Sequence, residues 1–556
     1  MNTSIWKIGL AGVLFATACA VSVVRAQQAA PDVVLINGKI ITVDERFTIA
    51  QAVAVRGDRV VAVGTTQEIG QLAGPNTRRI DLRGRAVTPG MIDNHNHFMR
   101  AGETWTEEVR LDGVDSRKQA VEMLRAKGKA AAPGRWVYTL GGWSRAQFAD
   151  DKKPFTRDEL DQIAPNNPVA LQEAYYRTYL NSRAIQAMGL DAMTDTWIAR
   201  DAAGKPTGVI EQDGTRVVAA KIPNPKDQFE SSSLAMIRDW NRAGLTAVGS
   251  SGCPPEQMDV YRRWESQGRL NMRVFCITAF AAGNAQGVDR VLPQIAQYKS
   301  FQGSNYLMTT VYGEQVYGPV NDNMLDVKPS QKPEDWAQLG RVLREIAKAR
   351  LPLHVHATLQ ASIDGFLNTI EEVNKEYPIR TLRWQLIHLD QITQLQIDRM
   401  KKLGMYAAVH ARPTILGEVF HEIHGERSYD MPPLKMVQDS GITWGFGTDT
   451  TVVDQFRPFT TLWWAVTGKM VGGTKVLRQT ISREDALIAH TRKNAYFHFQ
   501  EDHLGSIQAG KLADLLVLDR DYLTIPADQI KDIKPVMTMV GGKIVYDAAN
   551  TQTSSR

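Results

Sequence analysis

The chain is short of cysteine, of net charge and of repetition. It has three cysteines in 556 residues. Cys19 falls in an N-terminal segment set apart below. Cys253 and Cys276 have no metal-type spacing; they can form one disulfide in an oxidising compartment, but both fall in or beside neighbouring predicted core strands, and two buried thiols are expected. Lys and Arg number 65 and Asp and Glu 60, a formal net charge of +5, too small to call for a nucleic acid as partner. No internal repeat or low-complexity tract is present. With 43% hydrophobic and 22% charged residues, the composition is that of a soluble globular protein, and the length predicts several domains.

The first residues are unlike the rest. Lys7 precedes an apolar run from Ile8 to Val24, which ends at Val24-Arg25-Ala26. A positive start, an apolar centre and small residues before a cleavage point read as a secretory signal. Cleavage after Ala26 predicts a periplasmic or secreted protein with no stable membrane anchor. Thr17 and Ser22 make the run marginal for a membrane span. Loss of Lys7 and Arg25 lowers the net charge from +5 to +3.

Both ends of the mature chain read as β-structure. Asp32 to Val43 carries two short strands with a hairpin signal at Asn37-Gly38. Ala52 to Val63 repeats the pattern around Gly57-Asp58, and another strand follows near Arg79 to Leu82. Lys511 to Asp519 and Val536 to Tyr546 are similar, with a Gly541-Gly542 turn. These ends predict one β-sandwich built from separated pieces. Between them lie β-rich apolar runs at Leu245–Gly249, Met272–Ala279, Leu307–Tyr312, Leu353–His356, Trp384–His388, Met405–His410 and Thr443–Thr448. Helical patterns separate most of them, as at Pro333–Ala349, Ile363–Lys375 and Gln394–Leu403.

The eighth run is the most telling. Ala86 to Phe98 leads from the Pro89-Gly90 turn into His95-Asn96-His97. On a strand the two imidazoles point to one side, about 6.5–7 Å apart, and neutral imidazole is the commonest metal ligand. A lone His-x-His also suits an ordinary surface strand; the other runs supply the context. His356 and His388 are 32 residues apart and Asp449 follows 61 later, close to one and two βαβ units of about 30 residues. These candidates would therefore end strands 1, 5, 6 and 8 of a barrel, where side chains converge on one rim. His97 and His356 are 259 residues apart, which leaves roughly 100 residues for an insertion.

The predicted fold is α/β: a (β/α)₈ TIM-like barrel with a composite β-sandwich from the two chain ends and an inserted α+β lobe. The divisions are 1–26 signal peptide, 27–88 first part of the sandwich, 89–98 barrel strand 1, 99–227 inserted lobe, 228–497 the rest of the barrel, and 498–556 second part of the sandwich.

Nearly all of the mature chain resembles the amidohydrolase superfamily, in particular the amidohydrolase-3 branch with N-substituted formamide deformylase-like proteins. The resemblance rests on the order and spacing of several segments: Ala86 to His97, Pro154 to Asp161, Pro168 to Leu171, Asn181-Ser182, Gly204 to Gly208, Gly447-Thr448-Asp449, Ser482 to Ala486, Leu504 to Asp514 and Gly541 to Tyr546. It implies that His95 and His97 bind the more buried metal and that His356 and His388 bind a second metal or complete a single site. It implies that Asp449 ligates metal and acts as the general base. Imidazole and carboxylate donors suit zinc, one ion or two. The implied reaction is attack of metal-bound hydroxide on a C–N bond of an amide, N-substituted formamide or cyclic amide. The same site allows a deaminase, or a lactone or ester hydrolase, and a degenerate protein that only binds a ligand is a separate class.

The chain departs from the pattern in places. Many binuclear relatives carry a carboxylated lysine on strand 4, but Leu307 to Gln315 has none. Glu314, the one carboxylate there, either takes the bridging place or sits in a solvated loop. Tyr175-Tyr176-Arg177 replaces a usual Gly-His pair, and Leu359-Gln360 replaces a usual Gly-Asp. His354 shares a strand face with His356, and the family pattern selects His356. Asp449 alone could also cap a following helix. Trp143, Tyr176, Tyr317 and Phe420 are aromatic candidates for a substrate pocket, with core packing as the competing role, and His410 is a candidate substrate contact. The partner called for is a small-molecule substrate; a homo-oligomer is compatible with the same composition.

Overall fold

The computed structural model describes residues 1, 29–224 and 226–551. Apart from Met1, the expected export segment lies outside them. Eight strands form one parallel sheet in sequential order: β1 Met91–Asn96, β2 Leu245–Ser251, β3 Arg273–Thr278, β4 Leu307–Glu314, β5 Leu353–Ala357, β6 Gln385–His388, β7 Tyr406–His410 and β8 Trp444–Gly447. The sheet curls back on itself. Just past β8, the Thr448 and Asp449 amides donate to the His95 carbonyl of β1 at 3.2 and 2.9 Å. Most strands are buried along their length, which is why they read as apolar runs rather than alternating ones.

Parallel neighbours need long crossovers, and amphipathic helices supply them. The helix Pro333–Lys348 begins on a proline, has Glu334 and Asp335 in its first turn and Lys348 in its last, and buries Leu339, Val342, Leu343 and Ile346. The proline fixes φ where no backbone donor is needed, and the charges complement the helix dipole. The observed strands match the expected runs closely. β4 differs: it continues two residues past Tyr312 and carries Glu314 at its end. Gly313 allows this. Its φ is +150°, and a Cβ there would lie 1.8 Å from the His354 carbonyl oxygen of β5.

The chain ends share a six-stranded sheet. The strand Leu515–Leu518 pairs antiparallel with Ala86–Pro89, Leu516 facing Thr88. A four-stranded sheet made wholly from the N-terminal part packs beside it, around Leu35, Val53, Val55, Val87, Leu515 and Met539. The hairpins at Gly57-Asp58 and Gly541-Gly542 are present. The expected hairpin at Asn37-Gly38 is not. Val33–Ile36 pairs within the four-stranded sheet, whereas Lys39–Ile41 pairs in the six-stranded one. The turn therefore carries the chain from one layer to the other.

Between β1 and β2 stands a separate five-stranded sheet: Val137–Leu140, Val169–Glu173, Arg177–Leu180, Pro206–Glu211 and Ile198–Arg200. It meets the barrel rim closely, since a Cβ at Gly141 would lie 2.4 Å from the Val452 carbonyl oxygen. The two cysteines correct the expectation of free thiols: Cys253 and Cys276 are joined in a disulfide, with Cα atoms 5.9 Å apart. Cys276 pairs with Ser250 across β2 and β3, so the loop leaving β2 brings Cys253 directly over it. Among the described residues, no helix is long and apolar enough to cross a membrane.

Candidate metal centre

The barrel gathers every predicted ligand at the C-terminal ends of its strands, the usual position of a site in this architecture. His95 is the last residue but one of β1 and His97 follows the strand, Glu314 closes β4, His356 lies in β5, His388 closes β6, and Asp449 lies two residues past β8. The backbone bends sharply to aim them. His388, Leu389 and Asp449 have φ of 77°, 60° and 59°, a left-handed conformation that costs a non-glycine residue on the order of 1–3 kcal/mol and gathers at functional sites. No helix begins at Asp449, so it does not act as a cap.

Glu314 stands between two groups of donors, and a third group, His388 with His410 and Asp449, runs across them, with His388 Nδ1 3.8 Å from Asp449 Oδ2. On one side, Glu314 Oε2 is 3.7 Å from His95 Nε2 and 3.9 Å from His97 Nε2. Asp449 Oδ1 is 3.7 and 3.1 Å from the same nitrogens. On the other side, Glu314 Oε1 is 3.2 Å from His356 Nδ1 and 3.3 Å from His388 Nε2. Ligands bound to one zinc at 2.0–2.1 Å are spaced roughly 3.3 Å apart in a tetrahedron, so these separations suit two cations with Glu314 between them. His95 Nε2 is buried and has no hydrogen-bond partner, an arrangement that favours a bound ion. The donor set therefore fits divalent metal.

Charge follows the same division. Burial opposes ionisation of Asp449 and Glu314, yet both lie well below the usual carboxylate range: the His95 and His97 imidazoles beside it hold Asp449 down, and His95, His356 and His388 hold Glu314 down. His388 is pushed well below the ordinary imidazole range by burial and by the charges of Arg412 and His356. His356 is raised to about 10, because its contacts with Asp322 and Glu314 outweigh burial.

Several supporting groups carry no motif. Asp322, in the irregular segment after β4, lies 2.8 Å from His356 Nε2 and accepts from the amides of Thr358 and Leu359. It fixes the His356 ring with Nδ1 facing Glu314. Ser251 donates to Glu314 Oε2 at 2.9 Å. Arg412 lies between Asp390 and Asp449, 3.3 and 3.8 Å from them. His354, set aside in favour of His356, contacts His95 directly.

The substrate candidates fare differently. His410 is fully buried, with Nδ1 2.7 Å from His388 Nδ1; it backs a ligand rather than facing substrate. Gly447 makes room for it, since a Cβ there would lie 2.7 Å from His410 Nε2. Trp143 does not face the centre. It is buried in the lobe against Phe148 and Phe155 and donates to Thr139. Tyr176 donates to Glu422 beneath the Arg177 guanidinium. Tyr317 donates to Asp335, and Phe420 is buried. Trp143 fills the core of the lobe, and the other three rings go to packing and surface contacts. The cavity that does open on His97 and Glu314 holds about 690 Å³ and is walled by Pro254, Pro255, Met258, Ala279 and Phe280.

Comparison with known proteins bears on the family and the fold. A family model described as amidohydrolase family matches residues 78–546. An N-substituted formamide deformylase from Arthrobacter pascens is 26% identical over 548 residues, 93% of this chain and 98% of that one. A solved metal-dependent hydrolase from Pyrococcus furiosus, of uncharacterised activity, superposes with a TM-score of 0.61 at 22% identity, over 88% of this chain and all of that one. Atrazine chlorohydrolase TrzN from Arthrobacter aurescens, solved with zinc, gives 0.52 at 15% identity, over 94% and 99%.

Proposed function

The chain belongs to the amidohydrolase family and is a metal-dependent hydrolase of carbon–nitrogen bonds; we propose that it is exported and cleaves an amide, with N-substituted formamides and cyclic amides as the nearest classes. The observation that carries this reading is Glu314, whose two oxygens face two separate histidine pairs. A divalent cation in each group, zinc by donor preference, would supply Lewis acidity and bring the pKa of a water from 15.7 toward 7.

The chain's own residues do the rest. Asp449 is ionised and partly open to the cleft, its side chain 14% exposed. It accepts the proton of the attacking water and returns it to the departing nitrogen, so the C–N bond breaks as a neutral amine leaves. His97 and Arg412 orient the two Asp449 oxygens from opposite sides. Met258 and Phe280 give the cavity an apolar wall, which favours an amide with an apolar substituent over a small polar one. The formamide activity of the Arthrobacter pascens relative supports the same class. Export is supported by the N-terminal pattern and by the Cys253–Cys276 disulfide, a bond that persists in oxidising compartments.

The test is amine release from a panel of N-substituted formamides, acetamides, cyclic amides and matched esters, before and after chelation. Release from amides, lost on chelation and restored by zinc, is the expected result. Turnover of esters with no amine from any amide would overturn the leaving-group assignment.

A further inference from the structure

His354 and Gln385 hold buried polar atoms that the reaction above does not use. His354 Nε2 is 3.0 Å from His95 Nδ1, and His354 Nδ1 is 2.6 Å from Gln385 Oε1. The Gln385 amide nitrogen donates to the Phe497 carbonyl at 3.1 Å. All three side chains are essentially fully buried.

Hydrogen-bond roles propagate along this chain without ambiguity. A carbonyl only accepts, so the NH₂ of Gln385 faces Phe497 and its Oε1 faces His354. Oε1 only accepts as well, so the His354 proton is on Nδ1. The ring is buried, and its nitrogens face an imidazole and an amide, neither an anion, so the neutral form is stable there. Its Nε2 then has only a lone pair and accepts from His95 Nδ1–H. Neutral His95, the form that a cation requires, is left with a bare Nε2, the atom 3.7 Å from both Glu314 and Asp449.

We infer that His354 and Gln385 are positioning residues: a relay anchored on the Phe497 carbonyl that locks His95 in the Nδ1–H tautomer and keeps Nε2 free for a divalent cation. The inference rests on the metal-centre reading above. It also explains why His354 shares a face with His356 without being a ligand, since its Nε2 is occupied by His95.

The test pairs His354→Leu, which removes the acceptor at similar volume, with His354→Gln, which can keep one. Zinc affinity is measured by chelator competition and the melting temperature on metal-free protein. His354→Leu should weaken zinc about 10–100-fold, the usual effect of losing a group that orients a ligand, and His354→Gln should stay within a few-fold of wild type. Equal losses in both variants, or no loss in either, would overturn the relay. If His354→Leu does not fold, nitrogen-15 histidine spectra of the zinc-loaded wild type decide. His95 and His354 must both appear as Nδ1–H tautomers, and an Nε2–H signal from either contradicts the proposal. Should wild type bind no zinc, the metal-centre reading fails, and the same spectra of the metal-free protein still decide the tautomers.

Discussion

On one side of Glu314 stand His95 and His97 with Asp449 opposite them; on the other stand His356 and His388, with their second carboxylate placed behind. That carboxylate, Asp322, touches the far nitrogen of His356 at 2.8 Å. The first side reaches the cleft through His97 and Asp449, 21% and 14% exposed, over a buried His95, whereas His356 and His388 are 10% and 1% exposed. It presents an acid to the cleft. The second keeps its acid, Asp322, behind His356. The difference separates two duties: the open side handles the proton of the reaction, and the closed side holds a cation and an orientation.

The strongest way to break this division is Asp449→Asn. Removing the base from the open side should lower kcat about 10²–10⁴-fold, measured as steady-state amine release at matched zinc loading. A loss under tenfold would place the proton acceptor elsewhere. Asp322→Asn probes the closed side. It should weaken one zinc by about 10–100-fold and leave the other unchanged, read as two phases in chelator competition. A single uniform phase would mean that the halves are not independent.

A smaller effect sets both halves against histidines outside them. His490 and His498 are pushed to about 4 by burial, and each faces a carbonyl of β1, Ile92 and Asn94. They are native only when neutral. Their folded pKa lies below the ordinary imidazole value of 6.5, so the unfolded chain binds more protons in this window. Their contribution is complete above pH 6.5 and is lost as pH falls toward 4. Urea unfolding of the metal-free protein from pH 7 to 5 should show this fall, and His498→Gln should flatten the slope. An unchanged slope would exclude His498 as a source.

The residues of the centre that the sequence makes readable are those that end apolar runs at βα spacing: His95, His97, His356, His388 and Asp449. Glu314 is ambiguous in the sequence because the apolar run stops at Tyr312, whereas the strand continues through a glycine that no propensity rule favours there. Asp322 had no signal, since it lies in irregular chain and acts through backbone amides. His354 was visible on the right face, but only its contact with His95 shows its role. The aromatic candidates failed for a general reason: spacing along the chain does not distinguish a ring that lines a cleft from one that fills a lobe, as Trp143 does. At Asn37-Gly38 a good turn signal joins strands of two different sheets, and pairing partners are a tertiary fact that local sequence does not hold.

The central claim is that one glutamate serves two histidine pairs. Elemental analysis of the purified protein tests it most directly, on wild type and Glu314→Ala. The account predicts two divalent ions per chain in wild type, removed by chelation together with amine release, and at most one in the variant. Wild type without bound metal, or a variant that still holds two ions, would contradict it.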